Sequence, residues 1–219
     1  MNISNKMRIS EEDIVRMGHK SEEKIRRFYF PKAIIQQRIN KGSRILDVGC
    51  GYGHFLKVCD EYGLETYGID ISEYAIKQAK HNTNAHLLIH DVNKGLHIFR
   101  SNFFDVVTLF DVLEHLWCPY RVLREVHRVL KPKGRLIMTT PNLNSLMRFL
   151  KRDKWHGYHD KTHLYLFTLQ SLKFLVERAG FYVIKIEAVF RPMALPQLFK
   201  KLLDKTNLGG EIWCIGIKT

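Results

Sequence analysis

From residue 44 onward, short apolar runs and stripes of helical period follow one another along the chain. Ile45-Leu46-Asp47-Val48 is an apolar run carrying one acidic residue, and it breaks into three alternating glycines, Gly49, Gly51 and Gly53. That order predicts a buried strand feeding a turn that no side chain can crowd. Further strands are expected at Glu65–Ile69, His86–His90, Asp105–Phe110 and Arg135–Thr140. Between the last two, Val122, Leu123, Val126, Val129 and Leu130 recur at helical spacing, and Lys131-Pro132-Lys133-Gly134 ends that helix. Thr168 is placed to cap a further helix carrying Leu169, Leu172, Leu175, Val176 and Ala179, with Gly180 to stop it. Two strands, Phe181–Val189 and Glu211–Lys218, close the chain. The alternation argues for an α/β fold, a sheet with helical crossovers.

Outside this alternation the signals are helical. Residues 1–43 contain an approximate capping pattern at Ser10-Glu11-Glu12-Asp13. The stretch 191–210 holds a short basic amphipathic helix, with Leu198, Phe199, Leu202 and Leu203 on one side. It is expected to cover the sheet, with membrane contact as the lesser alternative. At 219 residues, one domain with terminal additions is expected.

Composition narrows the class. No stretch approaches the roughly 18 uninterrupted apolar residues of a membrane span, and the N-terminus is polar, so a soluble cytoplasmic protein is expected. Cys50, Cys59, Cys118 and Cys214 are scattered, without metal-binding spacing. They are expected to be free thiols, three in the core and Cys50 in the glycine loop. Lysine and arginine number 35 against 22 acidic residues, a formal charge of +13, concentrated at 24–27, at 148–161 and around Lys200, Lys201 and Lys205. A solvated basic surface is the favoured reading, with nucleic acid as the alternative.

The glycines do not suit a dinucleotide. The last small position of G-x-G-x-x-G/A falls on His54 counting from Gly49 and on Leu56 counting from Gly51. Three acidic residues follow successive strands: Asp70 after the second, Asp91 after the third and Asp111 after the fourth. Asp70 falls roughly twenty residues past the glycines, where a carboxylate can accept bonds from both ribose hydroxyls. Each aspartate alone could instead be a helix cap. Their joint occurrence favours a ligand lying across the strand ends.

From Lys41 to Phe181 the chain resembles the class I S-adenosylmethionine (SAM) dependent methyltransferases, small-molecule type, a group that includes ubiquinone-biosynthesis methyltransferases. The resemblance rests on the glycine loop, on Asp105-Val106-Val107, on Asp111-Val112-Leu113-Glu114-His115-Leu116, on Arg128 to Gly134 and on Thr139-Thr140-Pro141-Asn142. It implies a doubly wound, mostly parallel seven-stranded sheet with helices on both faces and the last strand antiparallel. It also implies SAM as cofactor and S-adenosylhomocysteine as product. By motif, Asp47, Gly49, Cys50, Gly51 and Gly53 would surround the methionine part, Asp70 and Ile71 the ribose and adenine, and Asp91 and Val92 the adenine. Backbone at Phe110, with Asp111 beside it, would approach the sulfonium. The implied divisions are a helical cap (1–43), a cofactor-binding core (44–140), an acceptor lid (141–168) and a C-terminal helix with strands (169–219).

Methyl transfer needs a general base only where the acceptor must lose a proton, and histidine suits that near neutral pH. His115 lies just past Asp111. The lid Trp155-His156-Gly157-Tyr158-His159-Asp160-Lys161-Thr162-His163 adds His159 and His163, with Thr162 standing where relatives have proline. His115, His159 and His163 are the catalytic candidates, and packing is the alternative for each. His156, His159 and His163 with Asp160 could suggest a metal, but no second carboxylate lies at matching spacing, and no metal is assigned. Tyr29 and Phe30 either close the pocket or join the core. The expected partner is a small-molecule acceptor, and the basic surface suits an anionic one. RNA methylation and a non-catalytic SAM-binding scaffold are the alternatives.

Overall fold

In the computed structural model, which describes residues 24–190 and 206–219, the apolar run before the glycines forms the middle of the sheet. Strand β1 (Arg44–Val48) lies between β2 (Glu65–Asp70) and β4 (Phe104–Phe110) and is parallel to both. The strand β3 (His86–Ile89) adds outside β2, and β5 (Leu130–Pro141) adds outside β4, again parallel. The last strands are β6 (Phe181–Val189) and β7 (Glu211–Lys218). β7 runs antiparallel to both β5 and β6, completing a seven-stranded sheet of order β3-β2-β1-β4-β5-β7-β6. The expected sheet and its one antiparallel strand are observed.

Both faces of the central strands are buried, which is why they read as apolar runs instead of alternating ones. Leu46, Val107, Leu136, Met138 and Cys214 face one core with α3 (Pro119–Val129) and α6 (Leu169–Arg178). Ile45, Val106, Ile137, Trp213 and Ile215 face the other, with Phe55 and Val58 of α1 (His54–Tyr62) and Tyr29, Ala33 and Ile34. Helix α2 (Glu73–Asn82) starts at Ser72, whose hydroxyl accepts the Ala75 amide, and α6 starts on a capping box between Thr168 and Ser171. Between β5 and α6 come α4 (Leu146–Lys151) and α5 (His156–His159), a single turn.

Two expectations need correction. β5 begins at Leu130, five residues before the expected start at Arg135, because Leu130 still pairs with Phe104 and the Lys131–Gly134 turn bulges out of one continuous strand. Lys133 takes the left-handed conformation this bulge needs (φ +64°). Cys118 is exposed at the start of α3, so the buried cysteines are Cys50, Cys59 and Cys214. Tyr29 is fully buried in the core, donating its hydroxyl to Glu211, and Phe30 packs edge-on against Tyr62. Of the N-terminal helical segment, Ile25–Tyr29 and Pro31–Ile35 are two short π-helical turns. The capping pattern at 10–13 and the apolar positions 198–203 lie outside the described residues. No helix among the described residues is long and apolar enough to cross a membrane.

Candidate active site

Strand order reverses between β1 and β4, so the segments leaving their C-terminal ends diverge and open a crevice there. Gly49, Gly51 and Gly53 line the β1 side with φ of +73°, +53° and +75°, conformations that side chains rarely adopt. A Cβ on Gly49 would lie 2.5 Å from Val112 Cγ2, and one on Gly53 would lie 2.9 Å from Thr83 Cγ2. The loop is folded back onto β2: the Gly49 and Cys50 amides both donate to the Ile69 carbonyl at 2.8 and 3.0 Å. The Cys50 side chain packs inward with Leu56 and Ile76, and burial, then Asp47 and Asp70, push its thiol well above its ordinary pKa. Only its backbone can face a ligand in the loop.

The aspartates occupy three different settings. Asp47 is buried within β1 and accepts the Thr108 hydroxyl at 2.6 Å, which ties β1 to β4 beneath the loop. Asp70, at the end of β2, accepts the Gly51 amide on Oδ2 and the Ser72 amide on Oδ1, both at 2.9 Å. Burial raises its pKa although these amides pull it down. The Ile71 amide also lies against this carboxylate, and three amides leave it one further acceptor direction. Asp91 caps the turn Val92–Lys94 through Oδ1, which accepts the Asn93 amide at 2.9 Å, while Oδ2 has no hydrogen-bond partner among the described residues. Beside these acids Ile71 is 55% exposed, a large aliphatic side chain laid open next to the carboxylate, while Val92 is buried.

Across the crevice, β4 ends at Phe110, whose ring sits between Tyr29 and Phe55 at 5.1 and 5.0 Å. Asp111 follows in a left-handed conformation (φ +56°), held by its amide on the Thr139 carbonyl and by the Thr139 hydroxyl on its own Oδ1 at 2.8 Å. That conformation costs a non-glycine residue on the order of 1–3 kcal/mol and sits where the chain turns over the site.

His115, in the short turn Leu113–His115, meets the segment between α5 and α6. Its Nδ1 is 2.8 Å from the Thr162 hydroxyl, and its ring is 4.8 Å from that of His163. Thr162 in turn donates to Asp160 at 2.5 Å. His163 Nδ1 donates to the Gly157 carbonyl at 3.0 Å, and its Nε2 faces Asp160 at 3.7 Å. Burial first, and then the neighbouring His163, lower the pKa of His115, against Asp160, Thr162 and Asp111, which raise it. The Leu164 and Tyr165 amides both donate to the Glu114 carbonyl. His159 is exposed, and no hydrogen bond joins it to the His115–His163 pair.

Two carboxylates at this edge were not among the sequence candidates. Glu114 is fully buried and accepts the Thr140 hydroxyl at 2.9 Å; Glu211 is buried and accepts Tyr29 and the Trp213 indole at 2.6 and 3.0 Å. Each adjoins an apolar run in the sequence, which gives no sign that the carboxylate turns inward. Glu114, His115 and His163 offer ligand atoms within 4.8 Å of one another. Within this group Glu114 Oε2 accepts the Thr140 hydroxyl and His115 Nδ1 meets the Thr162 hydroxyl.

Left-handed glycines at a strand end, a carboxylate with a further acceptor direction and an exposed aliphatic surface fit a ligand with an amino-acid end, a ribose and a flat base. Comparison with known proteins gives the class. The methyltransferase domain family matches residues 17–186, and the chain belongs to that family, whose cofactor is S-adenosylmethionine. The chain is 34% identical over 116 residues to a ubiquinone biosynthesis O-methyltransferase of Coxiella burnetii, covering 52% of this chain and 50% of that protein. It thus spans about half the length of the curated relatives it matches first. A SAM-dependent methyltransferase from Archaeoglobus fulgidus superposes with a TM-score of 0.66 at 25% identity, covering 90% of this chain and 92% of that one. A putative methyltransferase of Haloferax volcanii, solved with its Trm112 activator, shares the fold with a TM-score of 0.70 at 16% identity, covering 90% and 92%.

Proposed function

We propose that the protein transfers the methyl group of SAM to a hydroxyl of a small-molecule acceptor. The observation that carries this reading is the placement of a half-buried histidine, His115, whose surroundings favour its neutral form, at the same strand edge as the glycine loop and Asp70. When bound, the cofactor supplies an electrophilic methyl on a positively charged sulfur. In this reading the backbone of Gly49, Cys50, Gly51 and Gly53 receives the methionine part, with Asp47 bracing the loop from below. Asp70 accepts the ribose hydroxyls, Ile71 and Val92 flank the adenine, and Asp91 Oδ2 accepts its amino group. Phe110 and Asp111 wall the sulfonium end.

In this reading the segment 141–168 acts as the lid over a cofactor-binding core of 44–140, with the described turns Ile25–Tyr29 and Pro31–Ile35 packed as a cap and α6, β6 and β7 completing the domain. Trp117, Leu164 and Tyr165 are 60%, 40% and 41% exposed, and Tyr165 donates to the Trp117 carbonyl beside Glu114 and His115. This apolar rim suits an acceptor with an aromatic or aliphatic body. Excluding water and aligning an oxygen with the methyl can supply much of the rate. His115 takes the acceptor's proton, which only an acid such as a phenol or alcohol needs removed. Of the three histidines, His163 acts as a lid brace and His159 takes no part in proton transfer. RNA and scaffold readings rest on net charge alone and are not carried forward.

The test is transfer of label from methyl-tritiated SAM to a panel of catechols, hydroxybenzoates and prenylated phenols, with His115→Gln alongside. Turnover of at least one phenol, reduced about 100-fold or more in the variant, is expected. Turnover confined to amines, or equal turnover by His115→Gln, contradicts the reading.

A further inference from the structure

A histidine is a base only through the ring nitrogen that lacks a proton, so the groups on its other nitrogen decide which face works. Asp160 lies below the ordinary carboxylate range. Burial opposes this, but hydrogen bonds from Thr162 and the nearby histidines outweigh it. An ionised carboxylate only accepts. The Thr162 hydroxyl therefore commits its one proton to Asp160 Oδ1, 2.5 Å away, an oxygen that also takes the Thr162 amide at 2.9 Å. With its proton spent, Thr162 Oγ1 can meet His115 Nδ1 at 2.8 Å only as an acceptor.

We propose that Asp160 and Thr162 form a relay that holds the proton of neutral His115 on Nδ1 and so leaves Nε2 as the base for the acceptor. The relay rests on the methyltransferase reading for its purpose but not for its geometry. In the transfer step, the acceptor O–H proton passes to His115 Nε2 and an oxygen lone pair forms the new O–CH3 bond. The electron pair of the breaking C–S bond stays on sulfur, leaving a neutral thioether and an imidazolium. The positive charge then faces Asp160 through Thr162, with Asp111, Glu114 and His163 as the other titratable neighbours. Asp160 and Thr162 are positioning residues: Thr162 touches His115, Asp160 acts through Thr162, and neither touches the acceptor. A hydroxyl at 162 is essential to the arrangement, and a proline there would have none to relay.

An unconstrained neutral imidazole favours the Nε2–H form, so the relay enforces the rarer one and is visible without any acceptor. Nitrogen-15 spectra of the imidazole rings at pH 7.5, with the His115 signals assigned by their loss in His115→Gln, should show Nδ1–H. In Thr162→Val the same ring should shift toward Nε2–H, and Thr162→Ser should restore the wild-type pattern. With a phenol that the wild type methylates, Thr162→Val should lose about 10- to 100-fold in kcat with KM for SAM unchanged, and Thr162→Ser should recover most of it. Nε2–H at His115 in the wild type, or an unchanged tautomer in folded Thr162→Val, overturns the relay. Calorimetry of SAM on the same proteins separates the two claims. A wild type that shows the Nδ1–H form but binds no SAM leaves the relay standing and removes the methyltransferase reading.

Discussion

Asp70 shows how one side chain can shape a loop and still address a ligand. Its two oxygens hold the Gly51 and Ser72 amides, so the carboxylate fixes the glycine loop and the start of α2 together. An Asp70→Asn variant keeps the shape but loses charge and one acceptor. SAM affinity is expected to fall at least tenfold, about 1.4 kcal/mol, with a melting temperature nearer to wild type than that of Asp70→Ala. A calorimetric titration and a thermal melt check both parts. His115 carries a pH prediction. Its folded pKa is below the unfolded value of 6.5, so the unfolded chain binds the proton more readily. The stability that depends on neutral His115 is present above about pH 6.5 and is lost as pH falls toward the folded pKa. Urea unfolding at pH 7.5 and 5.5 should show a smaller acid-side loss in His115→Gln than in the wild type. At this scale the sequence was readable for Gly49, Asp70 and His115, whose positions follow strand ends. Glu114 and Glu211 were not, since a carboxylate turned into the core is recognisable only from partners such as Thr140 and Tyr29 that are distant in the chain.

The strands were legible because both of their faces are buried, so each reads as a short apolar run bounded by turn residues. The misplaced start of β5 has a physical cause: Pro132 and Gly134 are breakers of helix, but a bulged strand accommodates them without ending. The loop after β1 depends on its glycines for two separable reasons, backbone handedness and space. Gly49→Ala meets both, the left-handed conformation and Val112 at 2.5 Å, and is expected to cost at least about 2 kcal/mol. Adding Val112→Ala removes the clash but not the strain. The double variant should therefore recover only part of the loss relative to Val112→Ala alone, as measured by urea unfolding. Full recovery would mean that handedness costs nothing there.

For the whole molecule, the order β3-β2-β1-β4-β5-β7-β6 brings the ends of β1, β2 and β4 together, with Leu164 and Tyr165 joined beside them to Glu114. None of that is local in sequence: Gly51 and Asp70 are 19 residues apart, and His115 and Thr162 are 47 apart. The sequence supplied the elements and the candidate chemistry, and the topology selected His115 and His163 from the histidines while leaving His159 outside. A ligand that binds only the assembled edge must stabilise the fold by mass action. SAM at about 100 times its dissociation constant is expected to add about 2.7 kcal/mol, read as a rise in melting temperature.

The most direct measurement of the central claim is calorimetric titration of SAM, S-adenosylhomocysteine and NADH into the wild type and Asp70→Ala. The account predicts binding of both adenosyl ligands, no binding of NADH, and at least a tenfold loss of adenosyl affinity in the variant. A well-folded wild type that binds neither adenosyl ligand, or an Asp70→Ala variant that binds them as tightly as wild type, would contradict it.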